Sequence, residues 1–432
     1  MKKLLIVLLA LIALLTACGN QNKGRDSLQA DNNDPESDEK IELVVATIRG
    51  PFGDPSLSRD VEAFNSQSTR YHVKIIDYTQ NGMIDNTEAK RKFNTEIISG
   101  KYPDMICFSH LSPDPYVAKG LLLNLEPLID TDRDMSLDKI AAVQALIYPQ
   151  GGLYYLSGDF TFETLVGKTS RFGYRFGWTM QEYLDIEAKV DPGVWIIYNM
   201  DHEKLLQQVA QRYSRTAVDW ATGACSFNCE EFISILEASR RVQDKPETKD
   251  NMLYATPGKS NLSVDRLITQ LVYVIHPYDL AFEEQYSATE LSFIGWPTPD
   301  GSCGTDLHIV DPVGIVNGCD NPDGCWEFIK YRLLNGGTDN SMPMYLPILK
   351  TRLDEAQKPV EKDKSRKVQM TAEQVNKFID LLEHIDNVAF YDETINSIIM
   401  TESKAFFSGD KTAEETTELI QSKVTTYVSE QR

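Results

Sequence analysis

Ile41-Glu42-Leu43-Val44-Val45-Ala46, Tyr71-His72-Val73-Lys74-Ile75-Ile76 and Met105-Ile106-Cys107-Phe108 decide the fold of this chain. The first run is apolar and rich in β-branched residues, which reads as a buried strand; the second alternates; the third is a short apolar run opened by Pro103-Asp104. Between the first two, a loop from Arg49 to Pro55 leads into a segment with Leu57, Val61 and Phe64 at helical spacing. Between the second and third, Asp85-x-x-Glu88 predicts a capping box for a helix with Ala89, Phe93 and Ile97 on one face, ended by Gly100. Strand, helix, strand, helix, strand predicts an α/β sheet covered by helices.

Downstream the pattern changes. From Thr179 the chain is mostly helical, and Thr179-x-x-Glu182, Thr371-x-x-Gln374 and Thr412-x-x-Glu415 each place a capping box before an amphipathic run. In the last run Thr416, Ile420, Val424 and Tyr427 share a face. Strand patterns return at Leu291-Ser292-Phe293-Ile294, Ile309-Val310 and Val313-Gly314-Ile315-Val316, and a helix is predicted from Trp326 to Leu334. About 390 residues exceed what one core usually supports, so two lobes are expected. An α/β lobe interrupted by a helical lobe and then resumed means several crossings. They are expected near Tyr155–Phe160, Phe293–Trp296 and Leu334–Tyr345. Lobe 1, α/β, is then 41–157 plus 295–334, and lobe 2, a helix-rich α/β lobe, is 158–294 plus 335–432.

The amino terminus reads as an export signal. Lys2 and Lys3 precede an unbroken apolar run, Leu4 to Leu15, followed by Thr16-Ala17-Cys18-Gly19. The run is well short of the ~20 residues that span a bilayer. Residues 1–17 are expected to be a signal peptide. Leu15-Thr16-Ala17-Cys18 resembles the bacterial lipobox, which implies an acylated Cys18 holding the protein to the outer face of a bacterial cell membrane. Residues 18–40 are polar, with Leu28 the only large aliphatic, and read as a flexible tether.

With 64 acidic against 43 basic residues, a net charge of −21, the chain is a poor partner for nucleic acid or an anionic membrane face. Besides Cys18 there are six cysteines, Cys107, Cys225, Cys229, Cys303, Cys319 and Cys325. They permit disulfides in an exported protein and serve equally as free thiols in an anaerobic host; Cys319 and Cys325 flank the turn-rich Asp320-Asn321-Pro322-Asp323-Gly324. A zinc set of Cys303, His308, Cys319 and Cys325 fits no compact motif. Asp130-x-Asp132-x-Asp134 begins like a calcium loop, but Met135 replaces the turn glycine and Ala141 the terminal glutamate, so 130–141 reads as a solvated turn. No phosphate loop, zincin motif, nucleophile elbow or singled-out carboxylate pair is present, so neither metal nor cofactor is expected and an enzyme reading has no positive support.

An ordered set of segments resembles the family 1, carbohydrate-type, extracellular solute-binding lipoproteins of bacterial ABC importers. It includes Ile41–Ala46, Phe64-Asn65, Tyr71-x-Val73, Asp77-Tyr78, Asn94-Thr95-Glu96-Ile97-Ile98-Ser99-Gly100-x-x-Pro103-Asp104 and Tyr116-x-x-Lys119-Gly120-Leu121-Leu122-x-x-Leu125-x-Pro127. Gly177-Trp178-Thr179-x-x-Glu182, Gly295-Trp296-Pro297-x-x-Asp300-Gly301, Trp326-Glu327-Phe328-Ile329-Lys330 and the tail from Phe406 to Glu415 continue it. The resemblance implies a two-lobed, hinged periplasmic-binding-protein-like fold of type II with the ligand between the lobes. It also implies a sugar or oligosaccharide ligand, ABC permease subunits as partners and a monomer. The alternative is a surface lipoprotein that binds a peptide or glycan polymer without transport.

Ligands of open α/β sheets lie beyond the carboxyl ends of strands. That selects Arg49, Phe52 and Asp54 after the first strand, Ser109 after the third, and Asp159, Phe160, Trp296 and Tyr345 at the crossings. Flat aromatics suit the C–H faces of a sugar, and short polar groups suit its hydroxyls. Trp178, Trp195 and Trp326 stand in apolar surroundings and are assigned to the core.

Overall fold

A computed structural model describes residues 40–49, 55–191, 193–242, 260–262, 266–337, 340–363 and 366–431. Strand β1 (Ile41–Thr47) pairs in parallel with β2 (Tyr71–Asp77) across helix α1 (Pro55–Gln67). Helix α2 (Asn86–Ile98) returns the chain to β3 (Met105–Cys107), parallel to β1 on its other edge. The crossovers bury the apolar stripes foreseen for them: Leu57, Val61 and Phe64 on α1, and Ala89, Phe93 and Ile97 on α2. Asp85 caps α2 through the Thr87 amide. A short helix, α3 (Asp114–Ala118), follows the β3 loop.

The second lobe hangs on β4 (Asp159–Lys168), the longest strand and one that the sequence reading passed over. After it come helices α4 (Met180–Glu187), α5 (His202–Ala217) and α6 (Glu230–Arg241), then strands β5 (Thr269–Val274), β6 (Leu291–Phe293) and β7 (Asp306–Val310). β4 pairs antiparallel with β5, β6 and β7. The chain next enters the first sheet as β8 (Val313–Ile315), antiparallel to β3, and continues through helix α7 (Pro322–Leu334). Strand β9 (Met342–Pro343) pairs with Phe160 and Asp159 of β4, and helix α8 (Leu346–Ala356) follows. Helix α9 (Ala372–His384), strand β10 (Asn387–Val388) and helices α10 (Glu393–Phe407) and α11 (Ala413–Gln431) complete the second lobe. The first sheet has the order β8-β3-β1-β2, and the second the path β9-β4-β7-β10 with β5 and β6 also on β4.

The middle crossing differs from the expectation at Phe293–Trp296. β7 pairs with β4 over five positions, from Asp159↔Val310 to Glu163↔Asp306, so residues 295–310 belong to lobe 2. The crossing is at Asp311-Pro312, where Asp311 takes a left-handed backbone (φ 47°) that redirects the chain into the first sheet. Pairing with a strand nearly 150 residues upstream leaves no local signal in the sequence. One apolar core underlies the first sheet and runs into the second through Phe160, Phe162 and Leu307. A second core joins Leu205, Leu206, Phe232, Leu236, Ile399, Ile420 and Val424 of the helices.

Candidate ligand-binding cleft

The loop that leaves the carboxyl end of β3, Ser109 to Ser112, forms one wall of a cleft of about 390 Å³ between the lobes. Asn94 of α2 and Tyr116 of α3 extend that wall. The facing wall is lobe 2: Gln211 of α5, Phe390, Tyr391 and Asp392 ahead of α10, Asn396 within it, and Tyr427 of α11. Lys90 Nζ donates to Glu393 Oε2 at 3.3 Å, joining α2 to α10 across the two lobes.

Each tyrosine on these walls is oriented by a hydrogen bond. Tyr116 donates to Asn94 Oδ1 at 2.7 Å, Tyr427 to Asp392 Oδ2 at 2.9 Å, and Tyr391 to Asp306 Oδ2 at 3.0 Å. Asp392 also caps α10, accepting from the Thr394 and Ile395 amides at 2.9 and 3.0 Å. Burial pushes its carboxyl above the usual carboxylate range, and these bonds only partly offset that. Burial, reinforced by Lys90, holds the His110 imidazole below its ordinary range, and burial lowers Lys119. Asn396 Oδ1 is buried in the lining with no hydrogen-bond partner among the described residues. A buried acceptor left empty costs about 1–3 kcal/mol, so the cleft favours a ligand that donates there. Rings presented on fixed hydroxyls, amides held in place and titratable groups pushed toward their neutral forms suit a neutral molecule with many hydroxyls.

No protein-family model matches the chain, and no curated protein does. Solved structures do. A family 1 extracellular solute-binding protein from Alicyclobacillus acidocaldarius superposes with TM-score 0.50 at 14% identity, covering 90% of this chain and 98% of that one. The sugar-binding protein MalE of Xanthomonas citri gives TM-score 0.55 at 15% identity with the same coverage. The cyclic α-maltosyl-1,6-maltose binding protein of Arthrobacter globiformis gives 0.52 at 12% identity, covering 90% and 100%. This chain has the extracellular solute-binding-protein fold. All three neighbours are named as binding proteins.

Within this solute-binding fold the residues selected from the sequence scatter. Ser109 lines the cleft, its hydroxyl donating to Asp311 Oδ1 at 2.7 Å. Arg49 is instead tied to Ser58 Oγ at 3.1 Å and lies 3.9 Å from Asp77, bracing the end of β1. Asp159 is buried at the crossings, where it accepts from the Gly337 amide and Ser56 Oγ and faces Arg59 at 3.6 Å. Phe160 is fully buried between β7 and β9 in the core. Trp296 is 4% exposed, its Nε1 donating to Glu163 Oε1 at 3.0 Å. Phe160 does stand at a crossing, but its ring is packed into the core; Trp296 does not, because the crossing falls at Asp311-Pro312, and its ring joins the core of the second lobe. Tyr345, half-buried, donates to the Asp134 carbonyl at 3.4 Å and precedes α8. Phe52, Asp54 and Cys18 lie outside the described residues.

The sequence reading had singled out Asn94, Tyr116 and Tyr427 only as parts of a motif or a helix face. It missed Tyr391, Asp392 and Asn396. Asp392-Glu393-Thr394 carries a cap signature for α10, the one local sign that a loop ends there beside Tyr391.

Proposed function

We propose that this protein is the membrane-tethered receptor of an ABC importer, which captures a sugar or short oligosaccharide between its lobes and passes it to a permease. The observation that carries this reading is the cleft itself, where Tyr116, Phe390, Tyr391 and Tyr427 alternate with amides and hydroxyls from both lobes. Two neighbours are named for sugar binding, one of them for a cyclic maltosaccharide, which supports the carbohydrate class. The leader supports the location: Leu15-Thr16-Ala17-Cys18 at the end of an apolar run fits an acylated cysteine at the outer face of the membrane. In this reading no bond is made or broken. A ligand bridging both walls favours the conformation in which they meet, and that conformation is the one a permease recognises.

The test is a thermal-shift panel on the mature protein with mono- and oligosaccharides, amino acids and short peptides. A ligand that binds the native state raises the melting temperature by mass action. Stabilisation by a sugar class is expected; stabilisation by peptides alone, or by nothing, would remove the carbohydrate assignment. In cells, Cys18→Ala is expected to release the protein from the membrane fraction, and unchanged retention would remove the anchor.

A further inference from the structure

We propose that Cys319 and Cys325 form a redox site, a dithiol that closes to an intramolecular disulfide on meeting a small organic disulfide. Cys319 lies just beyond β8, its amide bonded to the Val316 carbonyl at 3.2 Å. The chain turns through residues 320–324, and Cys325 sits in the first turn of α7 with its amide on the Asn321 carbonyl at 3.1 Å. That helix start lies close against the first sheet: a Cβ on Gly324 would meet the Tyr71 ring at 2.5 Å. Cys325 is fully buried in the first-lobe core, and half-buried Cys319 packs against the same core. Both are free thiols here, six positions apart across this single turn and packed on the same core. Among the described residues no group of three or more histidine, cysteine or acidic side chains is placed to hold a metal, so the pair is left with thiol chemistry.

The two sulfurs have unequal roles. Interaction with Cys325 holds the Cys319 thiol below the ordinary range, while interaction with Cys319 and burial push Cys325 up. The more exposed Cys319 attacks the reagent as a thiolate, forming a mixed disulfide and expelling one thiolate. The Cys325 sulfur then attacks Cys319, the bond to the reagent breaks, and the second leaving thiolate takes the Cys325 proton. Two electrons pass from the protein sulfurs to the reagent, which departs as two thiols. The product fastens the first turn of α7, whose last turn carries Arg332 to the lobe crossings.

The experiment uses the mature protein, reduced, desalted, treated with oxidised glutathione, and then alkylated under denaturing conditions. Trypsin leaves residues 267–330 as one peptide containing Cys303, Cys319 and Cys325. The expected species is alkylated at Cys303 only and lighter by two hydrogens across 319–325. Alkylation at both Cys319 and Cys325, glutathione retained on Cys319, or a bond from either to another cysteine would overturn the proposal. As a second readout, oxidation should raise the melting temperature of the wild type by about a few degrees and leave Cys319→Ser unmoved. An equal rise in Cys319→Ser would assign the effect to other thiols and overturn it as well.

Discussion

Lys330 occupies the place that a dissolved cation would take beside Asp132 and Asp134. Its Nζ lies 2.8 Å from Asp132 Oδ1 and 2.8 Å from Asp134 Oδ2, and Trp326 Nε1 donates to Asp132 Oδ2 at 3.0 Å. The calcium-like spacing is therefore answered from α7, by a residue almost 200 positions away. Burial works against ionisation of Asp132, but the Lys330, Asp134 amide and Trp326 bonds prevail and hold its carboxyl below the ordinary range. The folded protein thus binds this proton less tightly than the unfolded chain. Its contribution is complete above the ordinary value near 3.8 and is lost as pH falls through the lower folded value. Urea unfolding of wild type and Asp132→Asn should show a stability gap at about pH 5 that narrows below about pH 4. A gap constant across that range would rule out the linkage. Trp296 gives a second residue-scale expectation: buried and bonded to Glu163, its replacement by Ala should cost roughly 3–5 kcal/mol of stability. Full stability in that variant would contradict its place in the core.

The helices show how much local chemistry decides on its own. Three of the four boxes read from the sequence close reciprocally, Thr179 with Glu182, Thr371 with Gln374, and Thr412 with Glu415, whereas at Asp85-x-x-Glu88 the aspartate caps through the Thr87 amide alone. Thr371→Ala should therefore cost on the order of 1 kcal/mol, read as a lower urea midpoint with an unchanged slope; no change would mean that α9 is held by packing alone. β1, β2 and β3 were legible because their apolar runs are bounded by turns and helices with clear periods. β4 was not, although Phe160, Phe162 and Val166 are all buried, because its polar positions Thr161, Glu163 and Thr164 disguise a strand with partners on both edges. In the cleft, the same limit applies. Ser109 was found by its place after a strand, whereas Tyr391 and Asn396 face it only because α10 packs beside α5 and α11.

At the scale of the molecule, three crossings meet in a buried polar cluster. Arg332, 1% exposed, donates through Nε to Asp60 at 2.9 Å and through Nη1 to the Asp311 carbonyl at 2.6 Å. Asp311 in turn accepts from the Leu57 amide at 3.0 Å, and Asp159 faces Arg59. The first and third crossings touch through glycines: a Cβ on Gly158 would lie 2.3 Å from the Arg332 carbonyl, and one on Gly336 would lie 2.0 Å from the Gly158 carbonyl. Hinge motions are absorbed at a few such element-terminal residues. Gly158→Ala should thus disfavour the conformation in which Lys90 reaches Glu393, giving a larger radius of gyration in solution scattering and, under the proposed function, about tenfold weaker sugar binding. Wild-type dimensions and affinity in a folded variant would show that the crossings tolerate separation.

The sequence by itself determined most of the periodic elements, their caps and the two-lobed, multiply crossed architecture. Each of these follows from side chains within a turn or a strand of one another, where steric preference and local hydrogen bonds act directly. Only the tertiary structure decided which lobe owns residues 295–310, which aromatics face the cleft, and that Lys330 answers Asp132. Those outcomes rest on pairings between residues tens to hundreds of positions apart, whose closeness is set by how whole cores pack rather than by any spacing along the chain.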